Sequence, residues 1–237
     1  MVTYPGTVTP LRGLSPFSES ERDVLFGRDR DRDELARLVG AEGFRAGLLH
    51  GEAGIGKTSL LRAGQVPHLR DHGVVALFCD DPGSPAESFA QALAATGVSP
   101  AVGEQPMTFL ARAVAQSLSG QLYVFIVDEI DPLLAAADER AIAEIGDLFA
   151  RVVTRSSGRA RFLFSCASER VHRFGARERR TGSLFPPASR YELGRFNASE
   201  TASVLERTLA LAGIASDPQL AEEVAQGAGG GGEGVAA

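Results

Sequence analysis

Residues 51–60 read GEAGIGKTSL, and one residue in that stretch, Lys57, orients the reading of the whole chain. The 237 residues include 24 lysines and arginines, and Lys57 is the only lysine among them. The stretch follows an apolar run, AGLLH (46–50), and opens a helical pattern, SLLRAG. It satisfies G-x-x-x-x-G-K-[ST] between a strand and a helix, the context a phosphate-wrapping loop requires.

The chemistry explains the residue types. Gly51, Gly54 and Gly56 let the backbone bend until successive N–H groups point inward at phosphate oxygens. The helix that follows aims its positive dipole end at the same place. Gly51, Ala53, Gly54, Ile55, Gly56, Lys57, Thr58 and Ser59 are therefore the candidate phosphate-binding residues. Lys57 adds a full charge on a thin stem that can reach the β- and γ-phosphates, and the Thr58 hydroxyl can serve Mg²⁺. The planar guanidinium of arginine is too bulky for a loop wound this closely around a phosphate chain. Lysine thus appears where the two cations are not interchangeable.

Such a site needs an acidic residue at the end of a second buried strand, and LYVFIVDEID (122–131) supplies it. Asp128 is the candidate Mg²⁺ ligand beside Thr58; Glu129 is the candidate that polarises an attacking water and, with Lys57, forms the catalytic set. Glutamate directly after aspartate favours the additional-strand class over GTPases. An N-K-x-D guanine reader is excluded, because Lys57 is the only lysine; the expected nucleotide is ATP/ADP.

The rest of the chain alternates β-rich runs with helical patterns, the signature of a parallel sheet flanked by helices. The expected strands are 46–50, 74–80, 122–128, 161–166 and 190–193, the middle ones continuous apolar runs as in strands buried on both faces. Helices are expected over SPFSESERDVLF, where Ser18 and Glu21 fit a capping box, and over DRDRDELARLV, with Leu35, Leu38 and Val39 on one face. Local ion pairs should lace its RDRDRDE start. Further helices fall near 57–66, 85–96, 106–118, 137–154 and 199–212, and a last one starts at Asp217-Pro218. GAGGGGEGVAA at the end cannot hold a regular element. The fold class is α/β, a five-stranded parallel sheet sandwiched by helices. The divisions are an opening segment over 1–27, a nucleotide-binding core over 28–194, the start of a helical lid over 195–226, and a glycine-rich tail or truncation point over 227–237.

Composition narrows the function classes. A hydrophobic fraction of 44% with 23% charged residues suits a soluble globular protein. No apolar run approaches the roughly 20 residues that span a membrane, and the N-terminus lacks a signal peptide, so a cytoplasmic location is expected. Cys79 and Cys166 end apolar runs and read as buried reduced thiols. The net charge of −6 argues against a general nucleic-acid binder. RVHRFGARERR (170–180), with five arginines, reads as a solvated face, with a phosphate- or partner-contacting patch as the minority alternative.

The chain resembles the STAND class of signal-transducing NTPases, relatives of the AAA+ ATPases, and most of all the bacterial novel STAND type. The likeness runs from about Leu11 to Gln226. It rests on the proline-phenylalanine opening and FGR block of LRGLSPFSESERDVLFGRDRDRDEL, on GEAGIGKTSLLRAGQVPHLR, and on IVDEID. The resemblance implies a five-stranded sheet with one strand, RFLFSC, between the two motif strands. It implies that Val24, Leu25, Phe26, Gly27 and Arg28 line an adenine pocket. In relatives the fourth strand leads into an Arg-x-Asp γ-phosphate sensor; here SCASER puts Ala167 at that arginine, leaving Arg170 and Arg173 as candidates. It further implies self-association driven by ATP and Mg²⁺, slow hydrolysis, and sensor or effector domains in the full-length protein or a partner, in signalling or defence. The alternative is a DNA-associated AAA+-like ATPase, an initiator or transposition helper using Arg170 to Arg180.

Overall fold

The computed structural model describes residues 15–79, 81–117, 120–132, 139–156, 158–172 and 185–215. Five strands, β1 (Ala46–Gly51), β2 (Val75–Cys79), β3 (Tyr123–Val127), β4 (Ala160–Ala167) and β5 (Arg190–Glu192), form one sheet. Its order is β2-β3-β4-β1-β5, and every pairing is parallel. β4, the RFLFSC strand, lies between β1 and β3 as expected.

Alternate side chains of each strand point to opposite faces, and both faces are buried, so the strands read as unbroken apolar runs. On one face Phe125, Phe162 and Phe164 meet Phe89, Phe109 and Leu148. Phe162 stacks on Phe125 with ring centroids 4.8 Å apart, and Phe89 meets Phe125 edge-on at 5.1 Å, arrangements that aromatic quadrupoles favour. On the other face Leu49, Val124, Ile126 and Leu163 meet Leu35, Val39, Leu60 and Leu61.

The helices among the described residues follow their apolar stripes. α1 (Asp29–Gly40) buries Leu35 and Val39, and its start carries Arg30–Glu34 and Arg32–Asp29 ion pairs at 2.8 and 2.9 Å. α2 leaves the phosphate loop as Lys57–Ser59, widens into a π-helical stretch over Leu60–Gln65, and resumes as Val66–Asp71. The sequence pattern did not mark that widening. α3 (Pro85–Ala94) and α4 (Pro106–Gln116) both open on proline, whose missing N–H and fixed φ suit the first helical position. α5 (Glu139–Arg155) packs Ile145, Leu148, Phe149, Val152 and Val153 on the phenylalanine face. α6 (Ala198–Leu211) is capped reciprocally by Asn197 and Glu200.

The segment expected as a helix after Ser18 is instead a short 3₁₀ turn, Glu19–Val24, with Glu21 at non-helical φ −110°. The Glu21 carboxylate turns back to accept the Ser18 N–H (3.0 Å) and hydroxyl (2.6 Å). Ion pairs from Glu19 to Arg70 and from Arg22 to Asp71 then bind the turn to the end of α2. Asp217 onward and the glycine-rich tail lie outside the described residues. Among the described residues no helix is long and apolar enough to cross a membrane.

Candidate functional site

The C-terminal ends of the parallel strands open onto one cleft of about 1090 Å³, where ligand sites of open α/β sheets form. Gly54, Ile55, Gly56, Lys57, Thr58 and Ser59 line one wall, and Asp128 and Glu129 lie across from them. The two sequence motifs therefore meet in space, with β4 between their strands. Gly54 and Gly56 adopt φ of +77° and +100°, the left-handed region that glycine enters without a steric penalty.

Lys57 is 8% exposed. Its ammonium donates to the carbonyls of Gly51 (3.0 Å) and Glu52 (2.9 Å). Among the described residues no carboxylate forms an ion pair with it, which is unusual, since buried charges are ordinarily paired. The result is a concentrated positive charge at the foot of the cleft. Gly51 and Ala53 are not part of the cleft lining. The Ser59 hydroxyl accepts the Phe17 N–H at 3.2 Å, so this side chain ties the N-terminal segment to α2.

Of the residues expected around adenine, Val24, Leu25, Phe26 and Arg28 line the cleft. Arg28 is almost fully buried and is committed to structure. It donates to Asp31 (3.0 Å), to the Gly194 carbonyl (3.0 Å) and to the Ile55 carbonyl (3.0 Å), and lies 3.9 Å over the Phe196 ring. Gly27 faces α6 instead. At φ +78°, a side-chain carbon there would sit 2.5 Å from a Val204 methyl. A second cation–π contact, Arg207 over Phe26 at 4.1 Å, completes a reciprocal clasp: each partner contributes one ring and one guanidinium.

The β5 end is joined to α1 by the Tyr191 hydroxyl, which reaches Asp31 (2.8 Å) and Glu34 (3.2 Å). Burial, together with the hydrogen bond to Asp31, raises the tyrosine pKa well above its ordinary value. Arg195 and Glu52, both exposed, pair at 2.5 Å. Arg170 lies in the turn Ser168–Arg170 after β4 and is not among the residues lining the cleft. Arg173, with the rest of the arginine-rich stretch through Arg180, is outside the described residues.

Sequence reasoning passed over several lining residues: Ser15, Pro16 and Phe17 from the N-terminal segment, Arg62, and Phe196, Thr201, Val204, Leu205 and Thr208 around α6. It also passed over Ser165. This residue is fully buried in β4; its hydroxyl donates to Asp128 and accepts the Glu129 N–H at 2.9 Å. The signal that could have found it is a lone hydroxyl within the apolar run RFLFSC.

Comparison with known proteins adds to this geometry. The family described as Novel STAND NTPase 1 matches residues 10–234. No curated protein matches the sequence. Among solved structures, the ORC2 protein of Aeropyrum pernix in its ADPNP-ADP complexes is similar with a TM-score of 0.60 and 19% identity, over 84% of this chain and 56% of that one. A Walker-type ATPase of Pyrococcus abyssi gives a TM-score of 0.63 and 16% identity, over 90% and 66%. Drosophila ORC bound to DNA gives 0.58 and 18%, over 88% and 53%. The chain thus spans between about half and two thirds of the length of these structures, and at such identities the likeness concerns the fold.

Proposed function

The chain belongs to the Novel STAND NTPase 1 family, and from that premise we propose that it is an ATP-binding switch module that hydrolyses ATP slowly to ADP and phosphate. One observation carries the reading. The buried Lys57 ammonium, held among the described residues by two carbonyls, stands at the foot of a cleft that also holds Asp128 and Glu129. An anion with a long apolar end suits it, and the wall formed by Val24, Leu25 and Phe26 offers a base an apolar surface.

In this reading the backbone of residues 53–59 cradles the phosphates, and Lys57 turns its third N–H toward them. Thr58 and Asp128 hold Mg²⁺, which supplies charge that offsets the phosphate oxygens. Glu129 orients and polarises the attacking water. α6 acts as a lid; the lining of the cleft by its Val204 and Leu205, and by Phe196 just ahead of it, supports this. ATP-dependent self-association, and a sensor or effector domain elsewhere in the full-length protein or on a partner, follow by analogy with signalling and defence proteins of this class.

Calorimetric titration with ATP and ADP tests binding. Wild type should bind, while Lys57→Ala and Lys57→Arg should both fail, the arginine because its fork does not fit the loop. Phosphate release tests hydrolysis. If wild type and Glu129→Gln bind ATP and release phosphate equally slowly, the enzyme reading fails and a nucleotide-holding scaffold replaces it.

A DNA-associated ATPase is the second reading. It draws on the likeness to a fold solved on DNA and on the five arginines of residues 170–180. The net charge of −6 does not decide against it, because a local patch can meet phosphates. A salt-dependent affinity for DNA that vanishes when those arginines are neutralised would favour it.

A further inference from the structure

We infer that Ser165 is the positioning residue for the acidic pair, setting both the side chain of Asp128 and the backbone of Glu129 from the neighbouring strand. The inference rests on the ATP-binding reading above and deepens it.

The placement follows from strand register. β3 and β4 pair with Ile126 opposite Leu163 and Val127 opposite Phe164; one step further brings Asp128 opposite Ser165. Leu49 of β1 flanks Ser165 on its other side. Leu49, Ile126 and Leu163 belong to the core beneath α2, so Ser165 and Asp128 continue the sheet face that carries the phosphate loop. In that row Ser165 is fully buried, and a buried hydroxyl persists where its hydrogen bonds are made. Both are made here. Its proton goes to Asp128 Oδ1, and its lone pair accepts the Glu129 N–H at 2.9 Å.

The consequence for Asp128 is that one carboxylate oxygen is committed, which fixes the plane of the group and leaves Oδ2 to serve a cation. Loss of a partner that orients a ligating carboxylate in this way typically costs about 10–100-fold in metal affinity or activity. The consequence for Glu129 is conformational. Its φ of +48° makes it the one non-glycine residue among those described with a left-handed backbone, a conformation that persists when the surroundings over-determine it. Ser165 supplies much of that constraint. Its hydroxyl takes the Glu129 N–H, and its carbonyl takes the Ile130 N–H at 3.0 Å. Asp131 finishes the turn by accepting the Ala167 N–H at 3.0 Å. The turn thereby presents Glu129, exposed, to the cleft. One hydroxyl links the geometry of the metal carboxylate to that of the water-orienting carboxylate.

The test compares wild type, Ser165→Ala and Ser165→Thr for ATP affinity with and without Mg²⁺, for kcat and KM of phosphate release, and for thermal melting. Ser165→Ala should leave ATP affinity without Mg²⁺ unchanged. It should lose about 10–100-fold of the affinity that Mg²⁺ adds, with KM for Mg²⁺–ATP rising to match, and a similar factor in kcat. Ser165→Thr, which keeps the hydroxyl, should recover most of both. Should Ser165→Ala fail to fold, Ser165→Cys, with a weak donor in place of the hydroxyl, carries the same comparison. A Ser165→Ala protein indistinguishable from wild type in Mg²⁺-dependent affinity overturns the positioning role alone. So does a Ser165→Thr protein that melts like wild type yet is as impaired as the alanine. A wild type that binds no ATP overturns the functional reading, and this role with it.

Discussion

An alanine at position 27 should weaken the seating of α6 on the FGR block by about 2–5 kcal/mol. Two costs add. Gly27 sits at φ +78°, and a β-carbon in the left-handed region costs roughly 1–2 kcal/mol. That carbon would also lie 2.5 Å from a Val204 methyl and 3.0 Å from the Phe196 ring, and overpacking of this kind costs about 1–3 kcal/mol. Gly43 separates the two costs, because it has nearly the same φ, +77°, with nothing within 4 Å of its virtual β-carbon. Gly43→Ala should therefore show only the backbone cost. At this chain length each kcal/mol moves the melting temperature by about 2–4 °C, so Gly27→Ala should melt roughly 2–12 °C below Gly43→Ala. Denaturant titration completes a cycle with Val204→Ala. Removing the obstructing methyl should return much of the excess as a coupling energy of about 1–3 kcal/mol. If Gly27→Ala and Gly43→Ala lose the same stability, or the Val204 cycle shows no coupling, the close approach of α6 to Gly27 is wrong.

Three further outcomes are expected. Glu104 is paired with Arg112 at 2.8 Å; that hydrogen bond first, and the Ala101 N–H second, hold its carboxyl down to about 2. Because the folded value lies below the unfolded one, the contribution is complete above the ordinary carboxylate range and drains away as pH falls from about 4.5 toward 2. Glu104→Gln should thus lower stability at pH 7 and flatten the acid limb of a denaturation-versus-pH curve; an unchanged acid limb contradicts the pairing. Phe162→Ala removes the ring that stacks on Phe125 and meets Phe149 edge-on, and should cost about 3–5 kcal/mol in urea titration. A loss below about 1 kcal/mol would mean that the aromatic layer is not the packed centre described. Burial pushes the Cys166 thiol up to about 12, so at neutral pH a thiol reagent should ignore it until the protein is denatured; prompt modification of native protein at Cys166 refutes that environment.

What could be read from the sequence was what the chain writes locally. GEAGIGKT and IVDEID each carry their chemistry within ten residues, and the strands announce themselves as apolar runs. The positions of Lys57, Asp128 and Glu129 in one cleft needed only the fold class. Ser165 needed more, because its role depends on the β3–β4 register that sets it opposite Asp128. Arg28 lines the cleft, and its guanidinium also holds the local partner Asp31 and the carbonyls of Ile55 and Gly194, the last two from distant segments that no local pattern encodes. Phe17 and Phe196 reach the cleft for the same reason, by long-range closure. The π-helical stretch Leu60–Gln65 escaped notice because SLLRAG has an ordinary helical composition.

The place of β1 in the sheet bears on how the protein comes to exist. β1 is flanked by β4 and β5, with Ala46 opposite Phe162 and Leu48 opposite Arg190, whereas Val75 of β2 pairs with the much nearer Tyr123 of β3. Synthesis makes the phosphate-loop strand first of the five and its two neighbours last. Loop closure across long stretches of chain is the slow step in building a sheet, so β2 and β3 should zip together while both edges of β1 still wait. Pulse-labelled hydrogen exchange during refolding should find the Ile126 amide, which faces β2, protected before that of Leu49, which faces β4. On the ribosome the same order would keep GEAGIGKT unframed until β4 and β5 have emerged.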